Sequence, residues 1–185
     1  MSLIRKIKKG NHAAADTLVR QYYDEIFKYT RKQTPNPETA LDLTQEIFIS
    51  LLKTIHRYDP KKGASFRTWL YKIATDKTID YFRSRAARAT GTLSLDDVTE
   101  DVAPVNHWDF TTHIADKDFA AHVCQYVNQF PPDTQKIFRL HIFGNYTFAE
   151  IARSIGLPEG SVKSKYYRLL NKIRGAFDDR PSKQR

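Results

Sequence analysis

TFAEIARSIGLPEGSVKSKYYRLLNKIR, residues 147–174, decides the fold. Thr147, followed three residues later by Glu150, forms a capping box in which the threonine caps a helix and the glutamate bonds back. Gly156 supplies the left-handed position of a tight turn, and Pro158 suits the first turn of the helix that follows. Two short helices joined in this way make a helix-turn-helix. In the second of them the helical period turns Val162, Tyr166, Leu169, Leu170 and Ile173 inward. Lys163, Ser164, Tyr167, Arg168, Asn171 and Arg174 then share the outward face. That face fits a DNA major groove, with short polar and basic side chains at base edges and flanking cations on phosphates. A helical hairpin with a merely solvated basic face is the bland alternative, and the agreement of cap, turn and face speaks against it.

Upstream of this motif nearly every periodic segment also has the helical period, and no two-residue alternation is convincing, so the chain reads as all-α. Leu18, Tyr22, Ile26 and Tyr29 stripe a helix after the Gly10-Asn11 break. Leu41, Phe48, Leu51, Leu52 and Ile55 stripe another after Thr34-Pro35-Asn36-Pro37. The loop HRYDPKKGA, with Pro60 and Gly63, ends that helix. From Thr90 to about Ala115 periodicity fades into a linker. It returns with Phe119, Val123, Val127 and Phe130, stops at Pro131-Pro132, and resumes through Ile137, Phe138 and Ile142 to a Gly144-Asn145 turn.

Between the loop and the linker lies SFRTWLYKIATDKTIDYFRSRAAR, residues 65–88, an uninterrupted helix with Ser65 as its N-cap. The period places Phe66, Trp69, Leu70 and Ile73 on one face, which reads as core. About half a turn away lie Thr68, Tyr71, Thr75, Ile79 and Phe82, bordered by Arg67 and Arg85 on one side and Lys72 and Arg83 on the other. Two readings of this second face stand. It takes a single nucleic-acid strand, with bases on rings and phosphates on cations, or it is packed by its own domain.

The 185 residues, 41% hydrophobic, suffice for one medium domain or two small helical ones. Residues 1–92 hold 18 Lys/Arg and 9 Asp/Glu, residues 93–118 hold 1 and 7, and residues 119–185 hold 11 and 5, so net charge runs +9, −6, +6. Two basic blocks around an acidic stretch point to two polyanion-binding modules and a linker that avoids or imitates the polyanion. No apolar run reaches transmembrane length and MSLIRKIKKG lacks the apolar core of a signal peptide, which predicts a cytoplasmic protein without membrane insertion. The lone Cys124 agrees. His122 and Cys124, with His107 and His113, match no familiar ligand spacing, so no metal is assigned and no cofactor is expected. No P-loop, HExxH or nucleophile–base pattern marks an enzyme.

Taken together, the two halves resemble the extracytoplasmic-function sigma factors, which direct bacterial RNA polymerase to promoters. The resemblance rests on Asp42-Leu43-Thr44-Gln45-Glu46-Ile47-Phe48, Tyr58-Asp59-Pro60, Phe66-Arg67-Thr68-Trp69-Leu70-Tyr71-Lys72-Ile73-Ala74 and Ile79-Asp80. In the second half it rests on Phe130-Pro131, Tyr146-Thr147-Phe148-Ala149-Glu150-Ile151-Ala152 and Gly160-Ser161-Val162-Lys163-Ser164. It implies an N-terminal domain over 1–90, a linker over 91–115, a C-terminal domain over 116–178 and a polar tail over 179–185. Asp42, Gln45 and Glu46 are implied to grip the clamp helices of core RNA polymerase. Arg67, Trp69, Tyr71, Lys72, Asp76, Lys77 and Arg83 are implied to take the minus-ten element as non-template single strand.

The minus-thirty-five duplex is implied to meet Lys163, Ser164, Lys165, Tyr167, Arg168 and Asn171, while the opposite face of that domain meets the polymerase flap. The acidic linker is implied to thread a channel that later carries RNA. An anti-sigma factor is the family's usual control, and no large C-terminal regulatory domain is expected after Phe177. The chain departs from the family at Asp76, usually Asn, at Lys165, usually Arg, and at Tyr167, usually His. Lysine holds a phosphate without the bidentate fork of arginine, which shifts the expected minus-thirty-five preference. An ordinary helix-turn-helix repressor or activator explains residues 119–175 but leaves the basic, aromatic first half and the acidic linker without a role.

Overall fold

The computed structural model describes residues 3–62, 65–89 and 117–177. Among them are eight α-helices and no strand. The chain divides into two compact units, Met1–Ala89 and Thr90–Arg185, and the expected acidic linker lies outside the described residues. No helix of the described residues is long and apolar enough to cross a membrane.

In the first unit, α1 (Leu3–Ile7) leads through Gly10, whose φ of 84° is a left-handed conformation, into α2 (His12–Arg31). Asn11 caps α2 by accepting from the Ala14 N–H at 2.9 Å. Asn36 does the same for α3 (Pro37–Thr54) through the Thr39 N–H at 2.8 Å, with Pro37 in the first turn. A 3₁₀ turn, Ile55–Arg57, ends α3, and a second, Pro60–Lys62, lies in the following loop. Ser65 opens α4 (Phe66–Ala89) as expected, its Oγ accepting from the Thr68 N–H at 3.0 Å.

Helix α3 packs on both α2 and α4, and α1 packs on α2. Lys8 Nζ donates to the Tyr58 carbonyl at 2.6 Å and ties the N-terminal region to the loop before α4. Ile26, Tyr29, Leu43, Ile47, Leu51 and Leu70 are fully buried between the helices. Burial of each such side chain stabilises the unit by roughly 1.5–3 kcal/mol before chain entropy is counted.

Of the two readings of the second face of α4, packing by its own domain is the one that holds. Thr68, Tyr71, Thr75 and Ile79 are buried together with Leu70, Ala74 and Thr78. Thr75 donates to the Tyr71 carbonyl at 2.8 Å and meets the Tyr29 hydroxyl at 2.6 Å, while Thr78 donates to the Ala74 carbonyl at 2.8 Å. A threonine whose hydroxyl bonds back along its own helix is a small, satisfied side chain, so it allows close helix packing although its residue type reads as polar. Phe66, Trp69 and Ile73, expected as core, are only half-buried. In α3 the corresponding correction falls on Leu41, which is 39% exposed, while Ala40 and Thr44 take the inward positions. Leu52 is half-buried.

The second unit contains α5 (Lys117–Val127), α6 (Pro132–Ile142), α7 (Phe148–Ile155) and α8 (Glu159–Phe177). Helix α8 packs on α6 and α7, with Val162, Leu169 and Ile173 buried beneath it. The α5–α6 corner is polar inside. Gln135 Nε2 donates to the carbonyls of Asn128 at 3.1 Å and Phe130 at 2.8 Å, which satisfies backbone acceptors just beyond the C-terminus of α5. The fully buried Arg139 donates to Asn128 Oδ1 at 2.6 Å. Hydrophobic periodicity alone gives no sign of this pair, because Gln135 and Arg139 read as surface residues. Cys124 is buried, and that burial raises its thiol pKa although Arg139 acts in the other direction.

Candidate nucleic-acid interface

The open side of α4 carries the half-buried Phe66, Trp69, Ile73, Lys72, Asp76 and Lys77 and the exposed Asp80 and Arg83. These positions fall on one arc of the helix, opposite the buried Tyr71, Ala74 and Thr78. Trp69 does not stand alone. Its ring lies 5.3 Å from that of Tyr58 and 6.0 Å from that of Phe66, and Phe66 in turn lies 5.5 Å from both Tyr58 and Tyr22. The loop before α4 and the first turns of α4 therefore share one aromatic cluster, buried at Tyr58 and partly open at Trp69. Burial, reinforced by Asp59, raises the Tyr58 pKa and keeps its phenol neutral.

Tyr71 leaves the strand-binding set: it is 3% exposed, and its ring meets Tyr29 edge-on at 4.9 Å. Arg67 is exposed but engaged, its guanidinium lying 4.6 Å above the Tyr71 ring. Its Nε donates to Glu25 Oε1 at 2.6 Å, and the Tyr71 hydroxyl donates to the same oxygen at 2.9 Å. Glu25, on α2, is a residue that the sequence alone does not point to, since 42 positions separate it from Arg67.

On α3, Asp42, Gln45 and Glu46 are all exposed, as expected of a partner-binding face. Leu41 and the 53%-exposed Ile49 flank them, so the face is apolar as well as acidic. Glu46 also lines a groove of about 390 Å³ with Lys77, Asp80, Tyr81, Ser84 and Arg85 of α4. A hydrogen bond with Thr39 is the main cause lowering the Tyr81 pKa, against the effect of burial, and Arg85 Nη1 donates to the same phenol at 3.2 Å.

The helix-turn-helix forms as its sequence predicts. Thr147 Oγ1 accepts from the Glu150 N–H at 3.3 Å, and Glu150 Oε2 accepts from the Thr147 N–H at 2.9 Å. Gly156 adopts φ 75°, the left-handed position that a side chain would strain. Lys163, Tyr167, Arg168 and Asn171 are exposed on α8, and Ser164 and Lys165 are half-exposed. An aromatic stack seats this helix. His141 lies on Phe148 at 4.4 Å and meets Tyr166 edge-on at 4.7 Å, while Tyr167 packs 6.0 Å from Phe148 and 5.5 Å from Tyr166. His141 Nδ1 donates to the Tyr146 carbonyl at 2.8 Å, which fixes the ring. Burial raises the Tyr166 pKa, whereas Tyr167 remains 40% exposed with its position set from behind.

Among the described residues no group of three or more His, Cys, Asp and Glu side chains is placed to hold a metal ion. Cys124 is buried and His122 is exposed, and His107 and His113 lie outside the described residues. The faces present cations, rings and amides, a chemistry for binding a polyanion.

Comparison with known proteins agrees with that chemistry. Residues 18–88 match the family model of sigma-70 region 2, and residues 125–173 match that of sigma-70 region 4. The chain is 26% identical over 186 residues to the ECF RNA polymerase sigma factor SigW of Bacillus subtilis, covering 95% of each chain. In fold it is similar to CnrH, solved in complex with the cytosolic domain of CnrY, with a TM-score of 0.62 at 19% identity over 97% of each chain. It is also similar to the sigma factor RpoE of Bartonella quintana, solved in complex with the anti-sigma factor NepR, with a TM-score of 0.53 at 15% identity over 89% of this chain and 98% of that one. With region 2 on the aromatic unit and region 4 on the helix-turn-helix, the chain belongs to the extracytoplasmic-function sigma factors of the sigma-70 family, non-enzymatic proteins that direct RNA polymerase to promoters.

Proposed function

We propose that the two units divide promoter recognition between the open face of α4 and the outward face of α8. The observation that carries this is the placement of half-open Trp69 and Ile73 among Lys72, Asp76, Lys77 and Arg83, on the side of α4 away from its core. A non-template strand separated at the minus-ten element stacks on Trp69 while the cations hold its phosphates. Opening duplex DNA costs about 1.4 kcal/mol per base-pair step in stacking, and one captured base returns about 1–3 kcal/mol, so this unit biases melting and polymerase completes it. On α8, Lys163, Ser164, Lys165, Tyr167, Arg168 and Asn171 meet the minus-thirty-five major groove.

The acidic segment over 91–115 serves as a polyanion mimic along a path that nucleic acid later occupies. The cytoplasm, where RNA polymerase works, is the site of action. The fold shared with RpoE, captured with the anti-sigma factor NepR, supports control of this chain by a protein of that kind.

The acidic, partly apolar face of α3 is the surface for core polymerase. Glu46→Lys reverses one charge on it without touching the Ile47 and Leu51 core. Its affinity for core enzyme, measured by fluorescence anisotropy of the labelled chain, falls on the order of tenfold or more, since like charges brought together in an interface cost up to several kcal/mol. Unchanged affinity with intact helical signal removes α3 from the interface.

A second substitution probes the minus-ten reader. A carboxylate at Asp76 is repelled by phosphate and accepts from a cytosine amino group without being able to donate. Asp76→Asn therefore tightens binding to pre-melted templates and alters preference among minus-ten sequences. Equal affinities and preferences would mean that Asp76 does not face the strand.

A further inference from the structure

Two cations on the proposed DNA faces are held by carboxylates of the same chain. Lys163 Nζ lies 2.8 Å from Glu159 Oε1, one turn earlier on α8. Arg83 Nη2 lies 2.6 Å from Asp80 Oδ1 on α4. Both pairs are about half exposed or more, and ion pairs in water contribute little to a fold, so stability does not account for acidic residues here. Glu159 does favour the positive N-terminus of α8, yet any acid on that turn gives the same benefit without engaging Lys163. What the two pairs share is that each carboxylate occupies a donor that a phosphate oxygen would otherwise take.

We propose that Asp80 and Glu159 are internal stand-ins for DNA phosphate, so that promoter binding exchanges a carboxylate for a phosphate at Arg83 and Lys163. This rests on the reading of α4 and α8 as the DNA faces. Each exchange frees a carboxylate that recruits a solvent cation, offsetting a counterion released from the DNA. Affinity for any sequence, and its dependence on salt, are then lower than the number of facing cations implies. Base-edge contacts are untouched, so promoter and non-promoter binding fall together and their ratio is unchanged. A strongly basic chain is thereby kept from spending its time on arbitrary DNA.

The test is binding of the full chain to a minus-thirty-five duplex and to a scrambled duplex over a salt series. It compares wild type, Glu159→Gln, the double variant Glu159→Gln/Lys163→Gln, and Asp133→Asn, which removes one exposed negative charge from the first turn of α6. Glu159→Gln is expected to tighten both duplexes by about two- to fivefold at low salt and to steepen the salt slope by up to about 0.9. The gain disappears when Lys163 is also replaced, and Asp133→Asn gives less. A Glu159→Gln gain no larger than that of Asp133→Asn, or one that persists without Lys163, overturns the inference while leaving the DNA face of α8 intact. A folded wild-type chain that binds both duplexes equally weakly, with no salt dependence, overturns the DNA face itself and the inference with it. Asp80→Asn on a single-stranded non-template oligonucleotide repeats the test for the first unit, with the same direction expected and an unchanged affinity and slope counting against it.

Discussion

Trp69→Ala in the assembled holoenzyme should lower affinity for a pre-melted non-template strand by about 1–3 kcal/mol, roughly five- to hundredfold, while leaving the chain folded. The ring is half-buried in the cluster with Tyr58 and Phe66, so part of it is free to stack on a base. Tyr71→Ala makes the opposite pattern. That ring is fully engaged against Tyr29 and its hydroxyl against Glu25, so its loss is a core deletion costing about 3–5 kcal/mol of stability. Urea titration and strand binding, carried out on both variants, separate the two roles. A Trp69→Ala chain with full strand affinity would move the captured base away from the α4 open face.

Arg168→Ala is expected to be the largest single loss on the duplex side. Arg168 is exposed near the middle of α8, beyond the buried Tyr166 that seats the helix on His141 and Phe148. A bidentate contact from Arg168 to a guanine gives a loss of about 1–3 kcal/mol with relaxed preference at one base pair. A phosphate contact gives a uniform loss across sequences and a salt slope shallower by about one. Binding to a set of duplexes varied one position at a time, at two salt concentrations, distinguishes them. No change in affinity, preference or slope removes Arg168 from the interface.

The helix-turn-helix was legible because its determinants are local. A capping box, a glycine with positive φ and a proline in the next turn each act within a few residues, and α7 and α8 follow them. The outward set on α8 was legible for the same reason, since Val162, Leu169 and Ile173 leave little choice of inward face.

The second face of α4 stayed open between a strand and its own domain, and Trp69 and Ile73 read as core, because the determinants of this helix are not local. Trp69 and Ile73 are apolar by type, and Thr68, Thr75 and Thr78 polar by type, yet whether a face is buried depends on what the neighbouring helices bring to it. Tyr29 of α2 brings a hydroxyl to Thr75 and a ring edge to Tyr71, and the threonines satisfy themselves along their own helix. A helix with one face in the core and an aromatic, cationic face left open for a partner has no single hydrophobic stripe for periodicity to find. Glu25, Gln135 and Arg139 were missed for a related reason, as partnerships over long separations or inside a polar corner leave no repeat in the sequence. Leu41 and Ile49 show the converse: apolar by type, they stay exposed beside Asp42, Gln45 and Glu46.

Run-off transcription from genomic fragments by core RNA polymerase, with and without this chain, is the most direct measurement. Discrete transcripts should appear only when the wild-type chain is added, be lost with Trp69→Ala and with Arg168→Ala, and survive Tyr71→Phe, which keeps the buried ring and removes only its hydroxyl. Transcripts that start at the same sites without the chain, or a Trp69→Ala chain as active as wild type beside an inactive Tyr71→Phe, would contradict promoter recognition through the open faces of α4 and α8.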